Sequence, residues 1–357
     1  MSRKPSEPSR GRGALSWPDN RYEPASREIL REDEAVLEPL PTVVLPDTAR
    51  TIISQNDSPD VGFSRSVNPY RGCEHGCVYC FARPTHAYLG LSPGLDFETR
   101  LFYKKDAAAL LQKELSRKGY SPEPIALGIN TDAYQPIEEK LHVTRSLLEV
   151  FDRTGHAVTI VTKSSLIERD LDLLISLSAR SLVHVCLSIT TLDKSLAQAL
   201  EPRASAPYRR LDTIKALSEA GIPVAVLVAP VIPKLTDHEM EQILKASRSA
   251  GATSAGYVLL RLPLEIKELF DEWLRHHRPD GAHAILERLR EYHGGQLYNP
   301  QFGTRMSGSG PLSDMLSQRF RIASRKLGYG SLPPLETTLF IPPSKITHSR
   351  LFPDFVP

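Results

Sequence analysis

The sequence predicts an α/β fold in which six parallel strands alternate with helices and close into a barrel. Three observations carry this. "LLEVFDRTGHAVTIVTK", "LDTIKALSEAGIPVAVLVAP" and "EQILKASRSAGATSAGYVLLRLP" each pass from an amphipathic stretch through a glycine into a short apolar run. Gly155, Gly221 and Gly251 suit the left-handed position that ends a helix. Within the apolar runs, polar residues alternate with apolar ones, so the two faces differ.

The first strand leads into residues 68–84. "PIALGIN", "HAVTIVT", "LVHVCLSIT", "IPVAVLV" and "AGYVLLR" follow, each the length of a strand and bounded by turn residues. Helices between them make the pairing parallel. In "LVHVCLSIT", Val183, Val185, Leu187 and Ile189 form one side, and His184, Cys186, Ser188 and Thr190 the other. In "IALGINTD", Ile125, Leu127 and Ile129 oppose Ala126, Gly128, Asn130 and Asp132. A strand between two helical layers is apolar on both faces, so one polar face selects a barrel with a polar-lined lumen over an open sheet. Such folds place their chemistry at the carboxyl ends of the strands. Asp132, Tyr134, Lys163, Ser188, Thr190 and Arg203 fall there, on the same rim as the loop 68–84.

Composition bounds the rest. A chain of 357 residues with 41% hydrophobic content buries a substantial core, in one large domain or two small ones. Lys plus Arg number 44 and Asp plus Glu 42, a formal charge of +2, which excludes the long-range field behind strong non-specific DNA binding. No apolar run approaches the ~20 residues that cross a bilayer, and the start of the chain lacks the apolar core of a secretory signal. A soluble, cytoplasmic protein without a membrane partner is expected. Residues 1–28 are rich in Ser, Pro, Arg and Gly and read as a flexible, disordered arm, a solvated tail more than a basic contact for an acidic partner or a mitochondrial presequence. Residues 29–277 hold the barrel with its lead-in, and residues 278–357 a mostly helical C-terminal extension.

"NPYRGCEHGCVYCFARP" at 68–84 crowds Cys73, Cys77 and Cys80 into eight residues, and the remaining cysteine is Cys186. Four cysteines make no disulfide framework for this length, so thiolate ligation is the better use. Structural zinc takes four protein ligands, and His75 or His86 is available to complete a Cys3His site. A [4Fe-4S] cluster on three cysteines instead leaves one iron open to a non-protein ligand. Both uses stand on spacing alone.

C-x3-C-x2-C with an aromatic, here Tyr79, before the third cysteine resembles the signature of radical S-adenosylmethionine enzymes. "TDAYQPIEEK", "TKSSLIERD", "LEPRASAPYRRLDTIKALSEAGIPVAVLVAPVIP" and "YVLLRLP" extend the resemblance to the spore photoproduct lyase-like branch, across roughly residues 60–335. The resemblance implies a partial (β/α)6 TIM-type barrel. It implies a [4Fe-4S] cluster on Cys73, Cys77 and Cys80 whose unique iron is chelated by S-adenosylmethionine, and reductive cleavage to a 5′-deoxyadenosyl radical. A small electron donor such as flavodoxin or ferredoxin is then the expected partner, with nucleic acid a possible substrate.

The resemblance also implies roles by position. Tyr79 packs near the adenine, Lys163 or Arg203 binds the methionyl carboxylate, and Ser188 contacts the ribose. Asn130 and Asp132 sit where relatives hold the cofactor amine, although "GINTDAYQPIE" replaces their Gly-Gly-Glu. Alternation turns the Cys186 thiol into the lumen, where it is either a hydrogen donor to a substrate radical or a small buried filler. It does not match the hydrogen-donating cysteine of spore photoproduct lyases.

Beyond the barrel, "EIKELFDEWLRHHRP", "HAILERLREYHGG" and "LSDMLSQRFRIASRKLG" read as helices capping the open side of the barrel, and His276, His277, His283 and His293 as helical surface residues. "NPQFGTRMSGSGPL" reads as a flexible loop more than a phosphate cradle, and the tail after Pro333 as an added edge strand. Two functions fit: a radical enzyme on an unidentified substrate, a nucleic-acid lesion or modified base among the possibilities, or a metal- or cluster-stabilised binding module for nucleic acid or protein.

Overall fold

Short β-branched segments become strands and the glycine-ended amphipathic segments between them become helices. The computed structural model describes residues 9–22 and 40–345. In chain order the strands are β1 (Val43–Pro46), β2 (Ile53–Gln55), β3 (Arg65–Val67), β4 (Tyr70–Arg71), β5 (Arg100–Tyr103), β6 (Ile125–Leu127), β7 (Val158–Thr162), β8 (Val183–Ser188), β9 (Val224–Val231) and β10 (Ser254–Leu259). A seven-stranded sheet runs β10-β9-β8-β7-β6-β3-β2. Every pairing in it is parallel except β2 with β3. The six expected parallel strands are β3 and β6 to β10. The antiparallel β2, and a second sheet in the order β1-β5-β4, were not anticipated because these short strands lie outside the repeated helix, glycine and apolar-run pattern.

The register places Val158, Ile160, Val183, Val185, Leu187, Val224 and Val226 against the helices, all of them buried with Leu147, Phe151, Leu177, Leu217 and Ile243. Burying each such side chain stabilises the fold by about 1.5–3 kcal/mol relative to exposure. Gly155 takes φ +62° after the helix Val143–Thr154, where a Cβ would also meet the Leu339 carbonyl oxygen at 2.5 Å.

The helix Pro311–Lys326 packs on Met240–Ser249, with Arg319 paired to Glu241 at 2.8 Å. It thus closes the last βα unit of the barrel. Between β10 and it, helices Ile266–His277 and Ala282–Tyr292 pack on each other, so the expected division after residue 277 falls inside a hairpin. Phe270, Trp273 and Leu274 of that hairpin bury themselves against Cys77, Val78 and Tyr79. Of the four histidines read as surface residues, His283 is exposed, whereas His293 is buried, with Nε2 at 3.1 Å from the Leu260 carbonyl.

Two terminal segments differ from expectation. Residues 9–22, read from composition as flexible, are packed: Gly13 and Ala14 donate their N–H groups to the Glu98 carboxylate at 2.9 and 2.8 Å. Arg12 donates to the Glu98 carbonyl at 2.8 Å, and Ser16 accepts from the Leu95 N–H. Here tertiary contacts replace the apolar content the segment lacks. The rest of the arm, residues 1–8 and 23–28, lies outside the described residues. The tail forms no edge strand among the described residues. Gly330, Glu336 and Ile341 instead donate to the carbonyls of Thr253, Ser181 and Thr154, which precede β10, β8 and β7, so the tail crosses the face opposite the rim. Its residues 346–357 lie outside the described residues. No described helix is long and apolar enough to cross a membrane.

A Cβ on Gly13 would meet the Gly76 carbonyl oxygen at 1.8 Å. Gly13→Ala is therefore expected to lift residues 9–22 off the cysteine loop, with a loss of about 1–3 kcal/mol of stability. Limited trypsinolysis at Arg12 will be faster in the variant; equal rates would contradict the packing.

Candidate active site

The three cysteines lie in a loop whose backbone is fixed from below by one buried guanidinium. Arg83 donates Nε to the Cys77 carbonyl at 2.9 Å, Nη1 to Gly94 at 2.9 Å, and Nη2 to Gly76 at 3.2 Å and to Glu98. Both side chains of the Arg83–Glu98 pair are 0% exposed. Gly76, at φ +68°, has no room for a side chain, because a Cβ would meet Glu98 Oε2 at 2.7 Å. The Cys73 N–H donates to Phe97 at 2.9 Å, and Val78 N–H to Leu200 at 3.1 Å.

The loop after β6 clasps the same turn from above. Gln135, fully buried, accepts from the Glu74 N–H at 2.8 Å and donates to the Gly72 carbonyl at 3.2 Å. His75 Nδ1 lies 3.3 Å from Asp132 Oδ2. Asp132 also accepts from Thr162 at 2.7 Å, from the Lys163 N–H at 2.8 Å and from the Tyr134 N–H at 2.9 Å. Burial raises the Asp132 carboxyl, but His75, Thr162 and the Lys163 N–H outweigh it and hold it below the ordinary range.

All three cluster-loop thiols are free of disulfides, and burial pushes each of them upward. At Cys73 the Asp132 carboxylate, and after it Cys77 and Cys80, add to the rise. Each histidine open to a Cys3His site has one ring nitrogen engaged, His75 Nδ1 by Asp132 and His86 Nε2 by the Arg100 carbonyl at 2.8 Å, while the buried His86 Nδ1 has no partner among the described residues. Burial lowers His86 to about 4. Among the described residues no three His, Cys, Asp or Glu side chains converge on a single-ion site. The donor set that remains is three soft sulfurs, which suits an iron–sulfur cluster.

A second buried network lies across the ends of β7, β8 and β9. Glu201 accepts from Thr190 at 2.6 Å, from Lys163 Nζ at 3.0 Å, and from Tyr79 and Arg210. Burial opposes ionisation of Glu201, yet Arg210 and Lys163 together hold its carboxyl far below the usual range. Lys163 spends its other donors on Thr190 and the Ala229 carbonyl, 3.2 and 3.1 Å away, and stands 5.6 Å from the centroid of the Tyr79 ring. Arg210 donates to the Ser188 carbonyl at 2.9 Å, which fixes the end of β8.

Tyr79, Lys163 and Thr190 thus meet in one network. Arg203 stands apart from it, paired with Glu74 at 2.9 Å beside a cleft of about 340 Å3 that His75, Tyr134, Ser164 and Arg169 also line. Asn130 is exposed, and its N–H donates to Asn68 at 2.8 Å. Ser188 is buried at the end of β8 and its hydroxyl has no partner among the described residues. Cys186 sits in register with Val161 and Ala225, is partly exposed, and burial raises its thiol to about 12. Arg83, Glu98, Gln135, Glu201 and Arg210 escaped the sequence reading. For Arg83, Gln135, Glu201 and Arg210 the signal was charge or amide inside otherwise cofactor-like motifs, as in "CFARP", "TDAYQPIEEK" and "LEPRASAPYRRLD", whereas Glu98 lies outside every motif.

Residues 67–246 match the family model of the Radical SAM superfamily. An uncharacterised protein of Mycobacterium bovis is 37% identical over 243 residues, covering 67% of this chain and 70% of the relative. An uncharacterised protein of Methanocaldococcus jannaschii is 31% identical over 178 residues, covering 48% and 62%. A spore photoproduct lyase variant superposes with a TM-score of 0.60 over 81% of this chain and 80% of its own, at 17% identity. Spore photoproduct lyase complexed with dinucleoside spore photoproduct superposes with 0.57 over the same shares, also at 17%. At such identity the likeness to these solved structures is one of fold. Signature, family match and fold agree, and the chain belongs to the radical S-adenosylmethionine superfamily, whose enzymes use a [4Fe-4S] cluster and S-adenosylmethionine.

Proposed function

We propose that Cys73, Cys77 and Cys80 hold a [4Fe-4S] cluster in this chain and that the polar lumen above it positions S-adenosylmethionine and a substrate for hydrogen abstraction. The observation that supports this most is the loop itself: three cysteine sulfurs on a turn whose backbone is held by Arg83 and Gln135, with no three His, Cys, Asp or Glu side chains set for a single ion among the described residues. When bound and reduced, the cofactor pair supplies a 5′-deoxyadenosyl radical, which cleaves C–H bonds too strong for acid or base chemistry at neutral pH.

The chain's own residues bind, orient and exclude water. Ser188, with its hydroxyl unpartnered among the described residues at the end of β8, contacts the ribose. Lys163, its three donors held by Glu201, Thr190 and the Ala229 carbonyl beside the Tyr79 ring, contributes positive charge toward the methionyl carboxylate and not a free hydrogen bond. Tyr79 packs beside the adenine with its hydroxyl anchored on Thr190 and Glu201. Asn130 presents the side-chain amide exposed after β6 to the methionyl amine. Asp132 acts as a positioning residue, since protein donors occupy both its oxygens, and Arg203 guards the cleft beside His75 instead of reaching Lys163. Cys186, whose thiol is protonated at neutral pH in this environment, has a hydrogen to return to a substrate radical in the lumen. Superfamily enzymes need a reductant and a substrate. A small flavodoxin- or ferredoxin-type donor is proposed for the first. For the second, the dinucleoside lesion in the neighbouring fold makes a nucleic-acid lesion or modified base the class to test first.

Anaerobic reconstitution is expected to load about four iron and four sulfide per chain. Dithionite with S-adenosylmethionine will then yield 5′-deoxyadenosine. Cys77→Ala will lose the cluster and the product together; a Cys77→Ala protein that still releases 5′-deoxyadenosine would falsify the ligand assignment.

Glu201→Gln leaves Arg210 and Lys163 buried without their counter-charge and is expected to cost about 3–5 kcal/mol at pH 7. Because the folded-state pKa is depressed, the charge stabilises the fold fully above the unfolded glutamate value of about 4.3 and loses ground below it. The wild-type advantage over E201Q in urea unfolding should therefore shrink by about 1.4 kcal/mol per pH unit below that value. A constant gap from pH 7 to pH 3 would show that Glu201 is not held ionised.

A further inference from the structure

Arg261 follows β10 at the carboxyl rim, and among the described residues it has neither a hydrogen bond nor an ion pair. Its guanidinium lies 4.6 Å from the centroid of Phe81, the residue after Cys80. Other cations of the rim are spoken for: Lys163 by Glu201, Arg203 by Glu74, and Arg305 by Asp60. Asp60, the carboxylate whose charge reaches Arg261, also accepts the Gly303 N–H at 2.6 Å, so both its oxygens are engaged. Burial lowers the Arg261 pKa, and the like charge of Arg305 adds to it. A desolvated guanidinium without a counter-ion is unfavourable unless an anion arrives to meet it.

The surroundings are those of a mouth, open to solvent and apolar at its edges. Phe81 is 40% exposed and Phe302 54%, the latter 4.6 Å beneath Arg305. Tyr298 supplies a phenol near Arg261. The loop that carries Phe302 and Arg305 joins β10 through the Leu259 N–H to the Met306 carbonyl, and reaches residues 58–60 before β3 through Arg305 and Gly303. It therefore links the two unpaired ends of the partial barrel and frames Arg261 from the open side.

We propose that Arg261 is a specificity-determining residue that receives an oxyanion, a phosphate or a carboxylate, carried by the substrate as it enters between β10 and the cysteine loop. The guanidinium fork suits either group bidentately, with Phe81 shielding one face of it. The word substrate here rests on the radical-enzyme reading; the oxyanion site itself does not.

The test titrates full-length, cluster-reconstituted protein with inorganic pyrophosphate and, separately, with succinate, following heat. Wild type is expected to bind at least one probe saturably, and Arg261→Gln to bind it at least tenfold more weakly. Arg261→Lys should retain an intermediate affinity, and Arg153→Gln, on the outer helix Val143–Thr154, should match wild type. Arg261-dependent binding of pyrophosphate alone assigns a phosphate, and of succinate alone a carboxylate. No saturable binding by wild type, equal binding by Arg261→Gln, or a variant in which only the cluster midpoint potential moves overturns the proposal, the last by assigning Arg261 to the cluster. Iron content measured on the same samples judges the radical reading separately: Arg261-dependent binding by protein that holds no cluster would leave the oxyanion site standing without it.

Discussion

Everything at the rim depends on the buried contact between Arg83 and Glu98. A guanidinium and a carboxylate removed wholly from water are costly unless every donor and acceptor finds a partner, and here they do. Arg83 reaches the carbonyls of Gly76, Cys77, Pro93 and Gly94, while Glu98 takes the N–H groups of Gly13 and Ala14. One ion pair therefore ties together the cysteine turn, the segment 92–99 and the N-terminal strap. A turn held by backbone contacts keeps three thiols in place without asking any of them to pack as a core residue.

The clasp from β6 and the Glu201 network extend that logic outward. Gln135 and Asp132 read the backbone and His75 of the cysteine turn, and Asp132 passes the constraint to β7 through Thr162 and Lys163. Glu201 then joins β7, β8 and Tyr79 on one carboxylate. Preorganised polar groups of this kind require no rearrangement when a charged cofactor enters, which is how a protein supplies position while a cofactor supplies the reactive chemistry. The hairpin 266–292 covers the same turn with Phe270 and Trp273 and keeps water from it.

Periodicity made much of this readable. The six parallel strands, the helix-ending glycines and the inward face of β8 follow from local pattern, because each residue's environment there is set by its immediate neighbours. The cysteine spacing was equally plain, since three of the four cysteines fall within eight residues. What sequence hid was long-range polar pairing. The resemblance set Asp132 where relatives hold the cofactor amine; its four protein donors lie up to fifty-seven residues away and leave no trace in local pattern. Arg12 and Gly13 looked disordered for the same reason, their partner being Glu98. The strands β1, β4 and β5 stand outside the repeated helix and strand units that made the parallel sheet readable.

The central claim is that the three-cysteine turn carries a cubane with one iron left for S-adenosylmethionine. Mössbauer spectroscopy of anaerobically reconstituted, 57Fe-enriched protein tests it directly. One iron of the [4Fe-4S] cluster is predicted to shift to a distinct, higher-coordinate signature when S-adenosylmethionine is added, with the other three unchanged. Four irons indifferent to the cofactor, or thiols occupied by zinc in place of the cluster, would contradict the account.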